Sequence, residues 1–173
     1  GNLPESLAVV CDACCMADGD SHNAARGTGP EPQHEGTWCI DDLGPLPKSI
    51  FGNYEYFTLA VNPVTKVMWG RPVKTRKERT QSVHMLEAWC ADKGYQFKHC
   101  NYDDAAENSS SELIDFMLGK RAGTSLGCGY EHTGNATAEN GIKTISRFGR
   151  AFMAQGNVSN ITKLWPHALV HAV

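Results

Sequence analysis

The stretch Thr37-Trp38-Cys39-Ile40-Asp41-Asp42-Leu43-Gly44-Pro45 decides the fold that we expect for this chain. Its run from Thr37 to Leu43 is rich in apolar residues and predicts a β-strand, and the Gly-Pro pair that follows predicts a turn. Asp41 therefore ends an apolar strand and is the first candidate site residue. Asp42 points to the opposite face if the strand continues, and we expect it to face solvent.

Two further acidic residues stand at similar structural boundaries. Asp103 follows the strand-like run Tyr95–Tyr102, and Glu139 opens the helical pattern Thr137–Gln155. Glu139 alone could equally be an acid that the helix dipole stabilises. Two strand ends and a helix start can converge on one point, where carboxylates repel each other unless a cation neutralises them. Because Mg²⁺ prefers hard oxygen ligands and keeps waters for phosphate chemistry, Asp41, Asp103 and Glu139 predict a phosphoryl-transfer site that uses Mg²⁺ or Mn²⁺.

The rest of the pattern alternates short strands and helices. Two strand-like runs separated by Asn62-Pro63 follow the first strand and predict an antiparallel meander. Thr75 and Glu78 have the spacing of a capping box, which begins a helix that Gly94 can end. The predicted strands after the first are Tyr54–Val61, Lys66–Arg71, Tyr95–Tyr102 and Thr124–Tyr130, and the other predicted helices are Ser110–Leu118, Thr137–Gln155 and Ile161–Val173. This order predicts an α/β protein with a mixed sheet whose faces carry helices.

Length and composition fit one globular domain. The chain has 173 residues, of which 41% are hydrophobic and 20% are charged. No apolar run approaches the ~20 residues that cross a bilayer, and no signal peptide is visible, so we expect no membrane segment. The formal net charge of −3 argues against strong nonspecific attraction to nucleic acid by the domain as a whole. The last apolar segment stops in mid-pattern, which favours a chain that continues in the native protein.

Local positive charge occurs in two places. A basic stretch over Lys66–Arg79 is, in its simplest interpretation, solvated surface. Two basic residues one helical turn apart on the helix of Glu139 could contact DNA phosphates or form an ordinary solvated face. The candidate DNA-binding residues from these two places are Lys74, Lys77, Lys143 and Arg147.

Cysteines occur seven times, which is an odd number in a chain with no secretory signal. A reduced, intracellular protein is therefore the simpler interpretation. Cys39 and Cys100 lie in strand-like runs and Cys90 lies in a helical one, where a cysteine is often a small buried apolar residue.

An irregular arm, residues 1–36, precedes the regular pattern. It contains one candidate zinc half-site, Cys11-Asp12-Ala13-Cys14. Structural zinc takes four ligands, and His22 and His34 are available to complete the set. We favour a severed half-site without metal. A redox role for Cys11 and Cys14 fits poorly, because no βαβ pattern adjoins them.

Taken in order, these residues resemble the integrase region of Ty1/copia-type retrotransposon polyproteins. In that family a Cys-X-X-Cys pair precedes a strand ending in Asp-X-X-Gly-Pro, and later elements read Asp-Asn-Gly-x-Glu and Asn-Gly-x-Ala-Glu-Arg. Ala105, Ala136 and Asn140 depart from that pattern, which has glycine, glycine and arginine there, and the family's upstream His-His pair is not in this chain. The matching residues are Cys11 and Cys14, Asp41–Pro45, Thr65–Trp69, Asp103–Glu107, Asn135–Asn140 and Leu164–Ala168.

The resemblance implies a retroviral-integrase-like catalytic core over residues 37–173, with a ribonuclease H-like fold: a five-stranded mixed sheet flanked by helices. It implies that Asp41 bridges two divalent cations about 3.5–4 Å apart, that Asp103 holds one of them and that Glu139 holds the other. The implied reactions trim the 3′ ends of the element's DNA and then join those ends to target DNA.

The resemblance also implies partners and a location. The partners are element-end DNA, target DNA and further copies of the chain in a homo-oligomer, with zinc bound only in the full-length protein. The location is a cytoplasmic virus-like particle before integration and the nucleus during it. The departures leave open a second class of function, a catalytically inactive, decayed or domesticated integrase-like domain that binds nucleic acid or protein.

Overall fold

The predicted strand Thr37–Leu43 is β1, the central strand of a five-stranded sheet in the computed structural model of this chain. The structure describes residues 35–102, 111–126, 136–156 and 161–173. No helix in those ranges has the length and apolar character needed to cross a membrane. The other elements there are β2 (Tyr56–Val61), β3 (Met68–Val73), α1 (Arg79–Lys93), β4 (His99–Tyr102), α2 (Ser111–Gly119), β5 (Gly123–Leu126), α3 (Ala136–Gln155) and α4 (Trp165–Ala172), with 3₁₀ turns at Arg76–Glu78 and Ile161–Leu164.

The sheet has the strand order β3-β2-β1-β4-β5. β2 runs antiparallel to both β1 and β3, whereas β4 runs parallel to both β1 and β5. β1, β3, β4 and β5 therefore point the same way, and their carboxyl ends meet at one edge, which we call the C-terminal edge of the sheet. Ile40 of β1 pairs with Tyr102, the last residue of β4. The predicted mixed sheet is confirmed.

Successive side chains of β1 point to opposite faces of the sheet, so they pack in two separate cores. Trp38 and Ile40 pack with residues of α1 and α2, on what we call the α1/α2 face. Leu43 packs against the second core, built from β2, α3 and α4, on what we call the α3/α4 face. Burying a large apolar side chain contributes about 1.5–3 kcal/mol, so apolar burial holds both helical layers on the sheet.

Local signals set the bounds of α1. The Glu78 carboxylate accepts the backbone N–H groups of Lys74, at 3.0 Å, and Thr75, at 3.3 Å. The bond to Thr75 belongs to the predicted capping box, which begins the 3₁₀ turn Arg76–Glu78 that leads directly into α1. The helix ends at Gly94, whose φ of 76° lies in the left-handed region that favours glycine. Both predicted helix signals are confirmed.

Three strands begin later than the sequence pattern indicates. β2 begins at Tyr56 rather than Tyr54, because the N–H of Tyr54 bonds the Ser49 hydroxyl (2.8 Å). β3 begins at Met68, because Lys66 donates its N–H to the carbonyl of Asn62 (2.9 Å) and closes a turn with a φ of 62°. β4 begins at His99, because the N–H of Tyr95 bonds the last turn of α1 at Cys90 (2.8 Å). In each case a backbone group that a strand would use for its ladder is engaged in a turn.

Candidate active site

Asp41 lies near the carboxyl end of β1 on the α3/α4 face, because it alternates with Leu43, which packs in that core. Its side chain is half-buried, and its Oδ1 accepts the backbone N–H of Asp42 at 2.7 Å. The chain then turns at Gly44, where φ is 145° and an added Cβ would come within 2.6 Å of the Tyr56 ring. Glycine at this position lets β1 end at Leu43, two residues after the candidate acid.

Glu139 lies in the first turn of α3 and is half-buried. The start of α3 contacts the sheet at Cys39 of β1, whose thiol interacts with the Thr137 side chain. One turn further on, α3 packs so closely that a Cβ on Gly141 would approach Val61 Cγ2 to 2.6 Å. These contacts bring the helix start, and Glu139 with it, to the same side of β1 as Asp41.

The third predicted acid, Asp103, lies outside the described residues, as do Cys11 and Cys14. Tyr102, which precedes Asp103 in sequence, pairs with Ile40, which precedes Asp41. In the ranges that the structure describes, no group of three or more His, Cys, Asp or Glu side chains is arranged to hold a metal ion. The two described candidates are carboxylates, whose hard oxygens suit Mg²⁺ or Mn²⁺.

The nearby thiols do not add soft ligands to this carboxylate set. Burial raises the pKa of Cys90 to about 12 and also raises the pKa of Cys100. Burial raises the pKa of Cys39 as well, although hydrogen bonds from Asn101 and Thr137 lower it in part. A thiolate is the form that binds metals, so these buried cysteines stay protonated and structural at neutral pH.

The expectation that Asp42 faces solvent is wrong. Its side chain is only 2% exposed and forms an ion pair with Arg79. Arg79 donates to Asp42 Oδ2 from Nη2 at 2.5 Å and from Nε at 3.0 Å. Thr58 donates its hydroxyl to Oδ1 of the same carboxylate at 2.6 Å. Asp42 does point away from Asp41, but α1 covers that face of the sheet. The simple reading of the basic stretch as surface is therefore also wrong for Arg79.

The candidate DNA-binding residues are all exposed. Lys74 and Lys77 lie between the end of β3 and the start of α1, at the C-terminal edge where β1 and β4 also end. Lys143 and Arg147 lie on α3, beyond Glu139. The two basic groups therefore belong to the elements that flank the candidate acids, and DNA contact by them stays a prediction.

Sequence reasoning missed the anchoring roles of Arg79, Thr58 and Thr137. A usable signal existed for the first, because a charged residue on a central strand is rarely buried unless it is paired. Asp42, within the apolar central strand, therefore predicts a positively charged side chain close to it. The hydroxyl groups of Thr58 and Thr137 carry no such signal, since threonine is equally at home on an exposed strand or helix.

Comparison with known proteins identifies the fold. No known family model matches the sequence, and no curated protein matches it. A solved structure described as the catalytic core domain of BIV integrase matches with a TM-score of 0.56 and 12% identity, and the match covers 80% of this chain and 81% of that one. The chain has the ribonuclease H-like fold of an integrase catalytic core, as the sequence predicted. Its assignment to the Ty1/copia type stays a prediction.

Proposed function

We propose that this chain is the catalytic core of a Ty1/copia-type integrase, a polynucleotidyl transferase that trims the 3′ ends of element DNA and joins them to target DNA. One observation carries the proposal: Asp41 and the start of α3, with Glu139, lie on the same side of β1 in an integrase-like fold. The end of β4, directly before Asp103, supports it from the neighbouring strand.

In this proposal Asp41, Asp103 and Glu139 hold Mg²⁺ or Mn²⁺. Bound there, the cations would activate water or a DNA 3′-hydroxyl as the nucleophile and would stabilise the leaving oxygen. The Asp42 N–H orients the Asp41 carboxylate through its 2.7 Å hydrogen bond. The Thr137–Cys39 contact holds the first turn of α3 on the sheet, so Glu139 is presented from a fixed helix rather than from a loop.

DNA is the proposed partner, held at the phosphate backbone by Lys74, Lys77, Lys143 and Arg147. All four side chains are exposed to solvent. Since the chain carries a net charge of −3, binding must depend on such local positive groups rather than on the field of the whole domain.

The finer properties implied by the Ty1/copia resemblance belong to the same proposal. They are a homo-oligomeric assembly, zinc held by Cys11 and Cys14 only in a longer protein, and a nuclear location during integration after a cytoplasmic virus-like particle.

A second candidate function is an inactive integrase-like domain that binds nucleic acid or protein. It is favoured by the departures at Ala136 and Asn140. Ala136, however, is an exposed residue at the start of α3 in helical backbone, which alanine adopts more readily than glycine. This departure therefore costs the fold nothing, and we place the active enzyme first.

Divalent-cation binding separates the two functions. A cation bound to the folded state at 100 times its Kd adds about 2.7 kcal/mol of stability, which for a chain of this size raises Tm by roughly 5–10 °C. We expect Mn²⁺ to produce such a shift in the parent and in the control Asp115→Asn, whose exposed carboxylate lies on α2. Asp41→Asn, Asp103→Asn and Glu139→Gln should each abolish it. A parent whose Tm ignores Mn²⁺, or an Asp103→Asn variant that responds as the parent does, contradicts the enzyme proposal.

A further inference from the structure

A buried polar cluster lies directly behind the candidate site, on the α1/α2 face of β1. It consists of Asp42, Thr58 and Arg79, and we call it the Asp42 cluster. Resting on the proposed function, we infer that the Asp42 cluster is a positioning device that fixes the end of β1 and thereby presents the Asp41 carboxylate to divalent cations.

The Asp42 cluster ties together the elements that surround the site. Asp42 belongs to β1, Thr58 to the paired strand β2, and Arg79 to the first turn of α1. The guanidinium of Arg79 also lies 5.9 Å from the ring centre of Tyr102, the last residue of β4. One arginine therefore contacts or neighbours both strands that end at the proposed cation site.

A direct link joins the Asp42 cluster to the proposed ligand. The backbone N–H of Asp42 donates to Asp41 Oδ1 at 2.7 Å. Rotation of the β1 backbone at residue 42 would move this N–H and with it the orientation of the Asp41 carboxylate. The side chain of Asp42 resists that rotation, because Arg79 and Thr58 hold both of its oxygens.

Charge gives the second reason for the arrangement. An unpaired carboxylate at residue 42 would place a negative charge one residue from Asp41 and would compete for cations. Arg79 neutralises it, at side-chain exposures of 9% for Arg79 and 2% for Asp42. Buried ion pairs are often no more stabilising than apolar replacements, so the location of this pair is better explained by what it holds in place.

The first test replaces the whole Asp42 cluster by apolar residues of similar size: Asp42→Val, Thr58→Val and Arg79→Met in one chain. The three side chains that bond one another are then removed together, and we expect Tm in the absence of metal to stay within about 5 °C of the parent. Residues that orient metal ligands typically matter 10–100-fold for metal affinity. We therefore expect calorimetric titration with Mn²⁺ to show roughly 10-fold weaker binding. The metal-free amide of residue 42 should exchange its hydrogen about 10-fold faster.

A milder variant keeps the inference testable if the triple variant does not fold. Arg79→Lys retains the charge but not the planar guanidinium, and we expect a smaller loss of Mn²⁺ affinity, about 3-fold, with a folded protein. The matched control is Arg71→Lys, whose side chain pairs with Glu78 rather than with Asp42 and whose backbone pairing with Thr58 in the β2–β3 ladder the substitution leaves in place. Its Mn²⁺ affinity should equal that of the parent.

The outcomes separate this inference from the proposed function. A folded triple or Arg79→Lys variant with the parent's Mn²⁺ affinity and unchanged amide exchange overturns the positioning role alone. A parent that binds no Mn²⁺ through Asp41 overturns the proposed function, and the inference with it. Weaker Mn²⁺ binding together with faster exchange at residue 42, and no change in Arg71→Lys, supports the inference.

Discussion

Two neighbouring carboxylates on β1 have opposite surroundings. Asp42 is buried on the α1/α2 face, where Arg79 balances its charge and Thr58 completes its hydrogen bonds. Asp41 is half-buried on the α3/α4 face, near the carboxyl end of the strand and on the side that receives the start of α3. Strand alternation alone assigns the two residues to different faces. The helix that covers each face, rather than the residue type, therefore decides whether a strand-end acid becomes a structural ion pair or a candidate ligand.

The largest expected effect comes from the α3/α4 face. We expect Asp41→Asn and Glu139→Gln each to lower the rate of strand transfer by about 10³-fold or more, because each loses a cation ligand that supplies several kcal/mol in the transition state. The measurement is joining of donor DNA ends to target DNA in Mn²⁺. Asp115→Asn, on α2, should keep the parent rate. Equal rates in the parent and in Asp41→Asn would show that Asp41 is not a catalytic cation ligand.

Substitutions on the α1/α2 face should instead lower the free energy of unfolding. Arg79→Met alone leaves the Asp42 carboxylate buried without its cation, and we expect a loss of about 3–5 kcal/mol in the free energy of unfolding. Chemical denaturation without metal measures it. Adding Asp42→Val and Thr58→Val to the same chain should recover most of that loss, since the polar groups are then removed together. If Arg79→Met is as stable as the parent, Asp42 is not the buried structural acid described above.

A smaller effect tests how closely α3 approaches the sheet. In Gly141→Ala the new Cβ would meet Val61 Cγ2 at 2.6 Å and Leu59 Cδ2 at 2.9 Å. Overpacking of about 1–3 kcal/mol outweighs the helix preference of alanine, about 1 kcal/mol, so we expect a net loss near 1 kcal/mol and weaker Mn²⁺ binding.

Gly119→Ala is the control for that substitution, because its new Cβ on α2 meets nothing within 4 Å. It should leave stability unchanged or raise it by up to about 1 kcal/mol, with unchanged Mn²⁺ affinity. If the two alanine variants behave alike, the close packing that brings Glu139 to β1 is absent.

The smallest effect concerns DNA. Lys77→Gln and Lys143→Gln should each weaken binding to DNA of any sequence and reduce the slope of log K against log salt by roughly 0.9, if each contacts one phosphate of duplex DNA. Lys93→Gln, at the far end of α1 from the C-terminal edge, should leave the slope unchanged. Equal slopes for all three variants would show that Lys77 and Lys143 do not contact DNA phosphates.

Much of the fold could be predicted because its signals are local. The apolar run of β1 and the Thr75–Glu78 capping box lie within a few residues, and both are confirmed. The late start of β3 could not be read in the same way, because the turn before it needs a φ of 62° at Lys66, which the residue type does not indicate. Asp42 was misjudged for a different reason, since its partner Arg79 lies 37 residues away in sequence.

Less of the candidate site follows from sequence than of the fold. The pattern singled out Asp41 and Glu139, and the strand and helix that carry them were predicted correctly. What brings them to one side of the sheet is the packing of Gly141 on Val61 and the contact of Thr137 with Cys39. Neither contact has a local sequence signature, so the sequence indicated only that two strand ends and a helix start can converge, and the resemblance supplied the rest.

Diffraction from crystals of the protein soaked in Mn²⁺, with the anomalous signal of manganese used to locate the ion, tests the central claim most directly. We expect an anomalous peak at about 2.0–2.3 Å from carboxylate oxygens of Asp41, with Asp103 or Glu139 as a further ligand, and loss of the peak in Asp41→Asn. A peak located elsewhere, or a Glu139 carboxylate turned away from Asp41 in the metal-soaked crystal with no ion between them, would contradict it.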